Sequence, residues 1–173
     1  FAVKQFGLPD NLKLSVHSGS DKFSIYPIIG KLIKKHDKGI HIKTAGTTWL
    51  EEIAGLAISG GEGLSLAKEV YSSAYEKMDE LCAPYASVID IKLERLPKPE
   101  VVQSWTAEQF GNAIIHDQKC SEYNPDLRQL IHVGYKIAAK KGQIYYNALE
   151  KFEPNIEKQV FENIFDRHMK LLK

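Results

Sequence analysis

Two short runs of alternating apolar and polar residues, each followed by a glycine-containing loop and a helical stretch, constrain this chain most. In Asn11 to His17, Leu12, Leu14 and Val16 alternate with Lys13, Ser15 and His17. A period of two belongs to a strand with two different faces. Ser18-Gly19-Ser20 ends that run, and Phe23 to His36 then carries Phe23, Tyr26, Ile29 and Ile33 at helical spacing. Pro27 sits in the first turns, where its missing N–H is tolerated. Gly39 restarts the chain. Ile40 to Thr44 alternates again, Ala45-Gly46 closes the run, and a helix is expected over Trp49 to Ile58, capped by Thr47 or by Thr48 with Glu51. Strand, loop and helix repeated in this way is the rhythm of a parallel sheet.

The rest of the chain reads as mostly helical. Glu62 to Cys82 places Leu66, Val70, Ala74 and Met78 on one stripe, and Ser87 to Ile91 is a β-prone run expected as a third strand. Pro97 and Pro99 then mark a break. Thr106-x-x-Gln109 has capping-box spacing, Asn124-Pro125 opens a helix running from Leu127 to Lys140, and Gly142 stops it. Gln143 to Phe152 and Asn155 to Leu172 complete the helices. Three strands cannot close a barrel, and a parallel sheet needs both faces covered. The expected architecture is therefore α/β: part of a (β/α)8, TIM-barrel-like domain over residues 1–95, with a helical C-terminal region over 96–173 packing on it. The chain opens on Phe1 rather than Met, so earlier strands are expected in a preceding segment.

Composition narrows the function classes. With 43% apolar and 26% charged residues over 173 positions, the chain is globular. A formal net charge of +1 supplies no strong field for nucleic acid or an anionic membrane. Cys82 and Cys120 stand far apart outside any CxxC pattern, which suits free thiols in a reducing, cytoplasmic setting. No apolar run is long enough to span a bilayer. Walker, GxGxxG, HExxH and nucleophile-elbow patterns are all absent.

Chemistry is expected at the strand ends. If Leu12, Leu14, Val16, Ile40 and Ile42 face helices, then Ser15, His17, His41 and Lys43 face the barrel axis. His17 and Lys43 then fall at carboxyl ends, where barrel enzymes build their sites. Burying such groups without partners would cost about 2–7 kcal/mol each, which argues for a functional mouth. His17 suits a metal ligand or a general acid/base, and His41 a ligand or its support. Asp21 is the acidic residue at a strand-end loop. Ser18, Ser20 and Lys22, with Thr44 and Thr47 after the second strand, form two loops leading to helix N-termini, suited to a carboxylate or phosphate. His132 and Lys136 share a helix face near Arg128. His168 reads as structural or exposed.

Several blocks together resemble the tagaturonate epimerase family of hexuronate catabolism. They are Leu14-Ser-Val-His-Ser-Gly-Ser-Asp-Lys-Phe23 with Ser-Ile-Tyr-Pro-Ile-Ile-Gly30, and His41-Ile-Lys-Thr-Ala-Gly-Thr-Thr-Trp-Leu-Glu51. Leu96-Pro-Lys-Pro-Glu100, Tyr123-Asn124-Pro125, Arg128-Gln-Leu-Ile-His-Val-Gly-Tyr-Lys136 and Arg167-His168 follow in order. The resemblance covers nearly the whole chain but only the C-terminal portion of such proteins. It implies an isomerase interconverting tagaturonate and fructuronate with a divalent metal ion, for which Zn, Mn or Ni are all suitable. His17, His132 and His41 would be the ligands from this chain. His17, Asp21 and Lys43 would be catalytic. Ser18, Ser20, Lys22, Thr44, Thr47 and Arg128 would contact a sugar acid, the expected small-molecule partner; a homo-oligomer is compatible with this reading. The two substrates differ at the carbon beta to the ketone, so retro-aldol cleavage and re-addition is the expected route. The alternatives are a barrel aldolase or isomerase acting on another sugar acid or sugar phosphate, and a non-catalytic binding module.

Overall fold

The computed structural model describes residues 1–17, 21 and 23–172. They form two compact units. Residues 1–48 with 161–173 make the first and residues 49–160 the second, so residues 95 and 96 both lie inside the second unit.

In the first unit a single helical turn, α1 (Ala2–Gln5), precedes β1 (Leu14–His17). A 3-10 turn, Phe23–Ile25, leads into α2 (Tyr26–Lys35), and β2 (Ile40–Lys43) follows. Pro27 sits in the first turn of α2, as its missing N–H requires. β1 and β2 pair in parallel with Leu14 opposite Ile40, Ser15 opposite His41, Val16 opposite Ile42 and His17 opposite Lys43. The expected strand–helix–strand crossover is therefore present. α2 lies against the 3-10 turn Met169–Leu172, and the contact is close: a Cβ on Gly30 would stand 2.6 Å from the Leu172 carbonyl oxygen.

Among the described residues, no partial barrel is seen. The sheet has two strands of four residues each. The third strand expected at Ser87–Ile91 is instead turn and irregular chain. Val88 and Ile89 both donate to the Tyr85 carbonyl, and the Lys92 N–H goes to the buried Asp126 carboxylate at 2.7 Å. These bonds satisfy amides that a ladder would otherwise need. The apolar layer expected beneath helices is also only partly covered. Leu12 and Leu14 are 49% and 60% exposed, while Val16, Ile40 and Ile42 are half-buried. Two short strands with one crossover helix do not have the surface to cover both sheet faces.

The second unit is helical and holds the apolar core. Its helices are most of α3 (Ala45–Ile58), then α4 (Gly61–Glu76), α5 (Met78–Cys82), α6 (Pro99–Gln103), α7 (Ala107–Ile114), α8 (Pro125–Val133), α9 (Tyr135–Lys140), α10 (Gln143–Lys151) and α11 (Glu153–Val160). The stripe Leu66, Val70 and Ala74 faces inward as the spacing predicts, packing with Ile53, Leu56, Leu127 and Ile131. The long helix expected from Glu62 breaks at Lys77, and the one expected from Leu127 breaks at Gly134. Gly55 lets α11 approach α3, since a Cβ there would stand 2.6 Å from the Ile156 Cα. Two of the three predicted caps are made. Thr106 accepts from the Gln109 N–H while the Gln109 side chain accepts from the Thr106 N–H, and Asn124 accepts from the Leu127 N–H. The cap expected at Thr48 is not. α3 begins at Ala45, earlier than its apolar pattern, and the Thr48 hydroxyl donates to the Thr44 carbonyl one turn back.

Lys68 is buried and donates to the carbonyls of Gln103 and Trp105, at 2.9 and 2.6 Å, satisfying oxygens at the end of α6. Cys82 and Cys120 are both free thiols. Among the described residues, no helix is long and apolar enough to cross a membrane.

Candidate functional site

The strand register decides the geometry of the first unit's polar face. His17 and Lys43 stand opposite each other at the carboxyl ends of adjacent strands, and Ser15 and His41 stand opposite each other one step earlier. Alternation puts all four on one face of the sheet. His17, His41 and Lys43 are exposed in this chain. Lys13, Ser15 and His41, with Leu12 and Ile40, line an open groove on the sheet.

Asp21 follows His17 by four residues, and its carboxylate is buried. Its backbone sits at φ +45°, in the left-handed region, which aspartate tolerates better than most residues. His168 comes to it from the end of a π-helical stretch, Phe161–His168. The Nε2 of His168 lies 3.7 Å from Asp21 Oδ1, with both side chains out of solvent. The Nδ1 of the same ring is 2.9 Å from the Asn163 carbonyl oxygen. Phe23 and Tyr26 pack on the imidazole, each with ring centroids 4.9 Å away. The Arg167 guanidinium covers Phe23 at 4.0 Å. Burial, and then the charge of Asp21, push the Tyr26 hydroxyl above the usual tyrosine range. Sequence reading missed this cluster. His168 reads as structural or exposed within an expected α-helix, whereas a π-helical turn holds more residues than an α-turn and changes which side chains face inward.

The remaining predicted site residues fall in several places. Ser18, Ser20 and Lys22 lie outside the described residues. Thr44 is half-buried just beyond β2, and Thr47 is fully buried in the first turn of α3. Arg128 lies in the core of the second unit. Its guanidinium donates to the Ile114 carbonyl at 2.6 Å and to Glu51 at 3.2 Å. Those contacts tie α8 to the end of α7 and to α3. Glu51, expected as part of a cap, is that arginine's buried partner. His132 is half-buried in the last turn of α8, also in the second unit. Among the described residues, no three His, Cys, Asp or Glu side chains are grouped to hold a metal ion. His17 and His41 are two nitrogen donors on one sheet face, so the first unit fits a divalent ion only as part of a ligand set.

Comparison with known proteins agrees with the motif blocks. The family model described as tagaturonate epimerase matches residues 4–172. The chain belongs to the tagaturonate epimerase family. A relative named tagaturonate/fructuronate epimerase, from Thermotoga maritima, is 29% identical over 167 residues. That alignment covers 94% of this chain but 30% of the relative, so the chain spans under a third of that epimerase. No solved structure matches.

Proposed function

We propose that this chain forms part of an epimerase that interconverts tagaturonate and fructuronate, and that it contributes acid–base and substrate-holding groups. The family match supports the activity. The parallel register that sets His17 against Lys43 supports the placement of that chemistry at the strand ends.

The reaction inverts a hydroxyl-bearing carbon beta to a ketone. Proton removal alpha to the carbonyl leaves that centre untouched. Retro-aldol chemistry reaches it without any oxidant. A base takes the β-hydroxyl proton, the Cα–Cβ bond breaks, and its electron pair passes into an enolate while the β-carbon becomes an aldehyde. After the aldehyde turns its other face, the bond re-forms and the proton returns to the oxygen. Asp21 is the group proposed to hold that proton, with His17 instead a ligand to a divalent ion. The Lys43 ammonium, together with Lys22, Ser20 and Thr44, is proposed to hold the substrate carboxylate; a carboxylate meets such donors as charge-assisted hydrogen bonds. A divalent ion held by His17 and His41 as part of a larger ligand set would stabilise the enolate's charge when bound.

The test is direct. A protein of the relative's full length that carries this segment should convert tagaturonate to fructuronate without releasing triose fragments, and His17→Ala should abolish both turnover and stoichiometric metal. Accumulating fragments would make the enzyme an aldolase. Metal content and turnover that survive His17→Ala would remove His17 from the site.

A further inference from the structure

The Asp21–His168 pair carries a consequence that follows from counting protons. A backbone carbonyl only accepts hydrogen bonds, so the 2.9 Å contact from His168 Nδ1 to the Asn163 oxygen requires the proton on Nδ1. A neutral ring would then direct the lone pair of Nε2 at Asp21 Oδ1, 3.7 Å away. Setting a lone pair against a carboxylate oxygen, with both side chains out of solvent, is unfavourable, because no water screens the repulsion. No hydrogen bond relieves Nε2, and the buried Tyr26 hydroxyl is likewise without a hydrogen-bond partner among the described residues.

We propose that the pair holds one additional proton, on Nε2 of His168 facing an ionised Asp21, and that His168 is thereby the positioning residue for Asp21. This rests on the acid–base role given to Asp21 above. Two further observations support it. Asp21 keeps a left-handed backbone conformation, which costs about 1 kcal/mol or more and persists where the surroundings over-determine it. His168 ends a π-helical stretch, an arrangement that recurs at functional sites, and the same Asn163 that belongs to that stretch orients its ring. The Phe23 and Tyr26 rings, tilted and edge-on to the imidazole, enclose it and fix its plane. Among the described residues, the charged groups flanking His168 in the chain include Arg167, stacked on Phe23, and Asp166 and Lys170, which pair with each other.

Nitrogen NMR of the 15N-histidine-labelled chain tests the proton count. At neutral pH both ring nitrogens of His168 should show the protonated signature, and Asp21→Asn should convert Nε2 alone to the lone-pair signature. A lone-pair Nε2 in the parent chain, or one unmoved by Asp21→Asn, overturns the proposal. In a protein of the relative's full length, His168→Phe should lower kcat roughly tenfold or more with KM within about twofold, since misplacement of an acid–base group costs that much. His168→Gln, which keeps a donor, should recover part of the loss and shift the acid limb of the kcat–pH profile. Equal losses in the two variants overturn the positioning role. If the full-length parent shows no epimerase turnover, the proposed function fails, while the NMR comparison still judges the pair. That comparison also decides the matter where His168→Phe does not fold.

Discussion

Replacing Arg128 by Met separates a structural arginine from a substrate-binding one. The guanidinium is almost fully enclosed, at 7% exposure against 2% for Glu51. It satisfies the Ile114 carbonyl as well as the carboxylate. Methionine keeps an apolar stem of similar reach but leaves Glu51 charged, buried and short of its partner, and it removes the Ile114 donor. Breaking a buried pair from one side costs about 3–5 kcal/mol, against a total of about 5–15 kcal/mol for a whole domain. With a urea slope near 2 kcal/mol per molar, a loss of about 4 kcal/mol lowers the midpoint by about 2 M. Trp49 and Trp105 both lie in the same unit as the pair, so tryptophan fluorescence in urea reads its unfolding. Glu51→Gln with Arg128→Met should restore at least about 1 kcal/mol relative to the sum of the single changes, because contacting charges couple. A single-variant loss below about 1 kcal/mol, or strict additivity in the double variant, would refute this account and return Arg128 to the candidates for substrate contact.

The other predictions use the same readout. Gly55→Ala drives a methyl into the Ile156 backbone and should cost about 1–3 kcal/mol by urea or thermal unfolding. Thr106→Ala removes the capping box of α7 and should cost about 1 kcal/mol, with Thr106→Ser close to neutral in the same melt. Tyr71 and Tyr145 are both held above the usual tyrosine range, mainly by burial; Tyr145 is raised further by its 2.5 Å bond to Glu52, and Tyr71 further by the neighbouring Tyr75. The folded state therefore retains those protons after the unfolded state has lost them. Their contribution is intact below about pH 10 and falls as pH rises beyond it, at up to about 1.4 kcal/mol per pH unit for each tyrosine. Urea midpoints between pH 9 and 11 should drop less steeply in Tyr71→Phe and Tyr145→Phe, and unchanged slopes would contradict the assignment.

Local rules made much of this chain legible before any coordinates. Period-two runs identified β1 and β2, their similar repeats implied a parallel pair, and that pairing sets His17 beside Lys43. The caps at Thr106 and Asn124 followed from short-range hydrogen bonding, which needs only neighbouring residues. Free Cys82 and Cys120, and the inward stripe of α4, were equally readable. The motif blocks pointed to the family that the comparison then matched.

What local rules could not settle were partners far apart in the chain. Ser87–Ile91 has strand-forming residues, but a strand exists only where another strand accepts its amides, and here the Tyr85 carbonyl takes those of Val88 and Ile89. Glu51 looks like a cap residue until Arg128, 77 positions away, claims its carboxylate. The Arg167-His168 block marks the family but says nothing of a partner for His168, and the tertiary structure brings it against Asp21 and leaves both out of water. Sequence alone determined which residues favour helix or strand and where each segment begins to be polar, because those preferences are properties of short stretches. Only the tertiary structure decided which charges are buried and which carboxylate meets which cation, because desolvation and Coulomb energy depend on distances that no local pattern encodes.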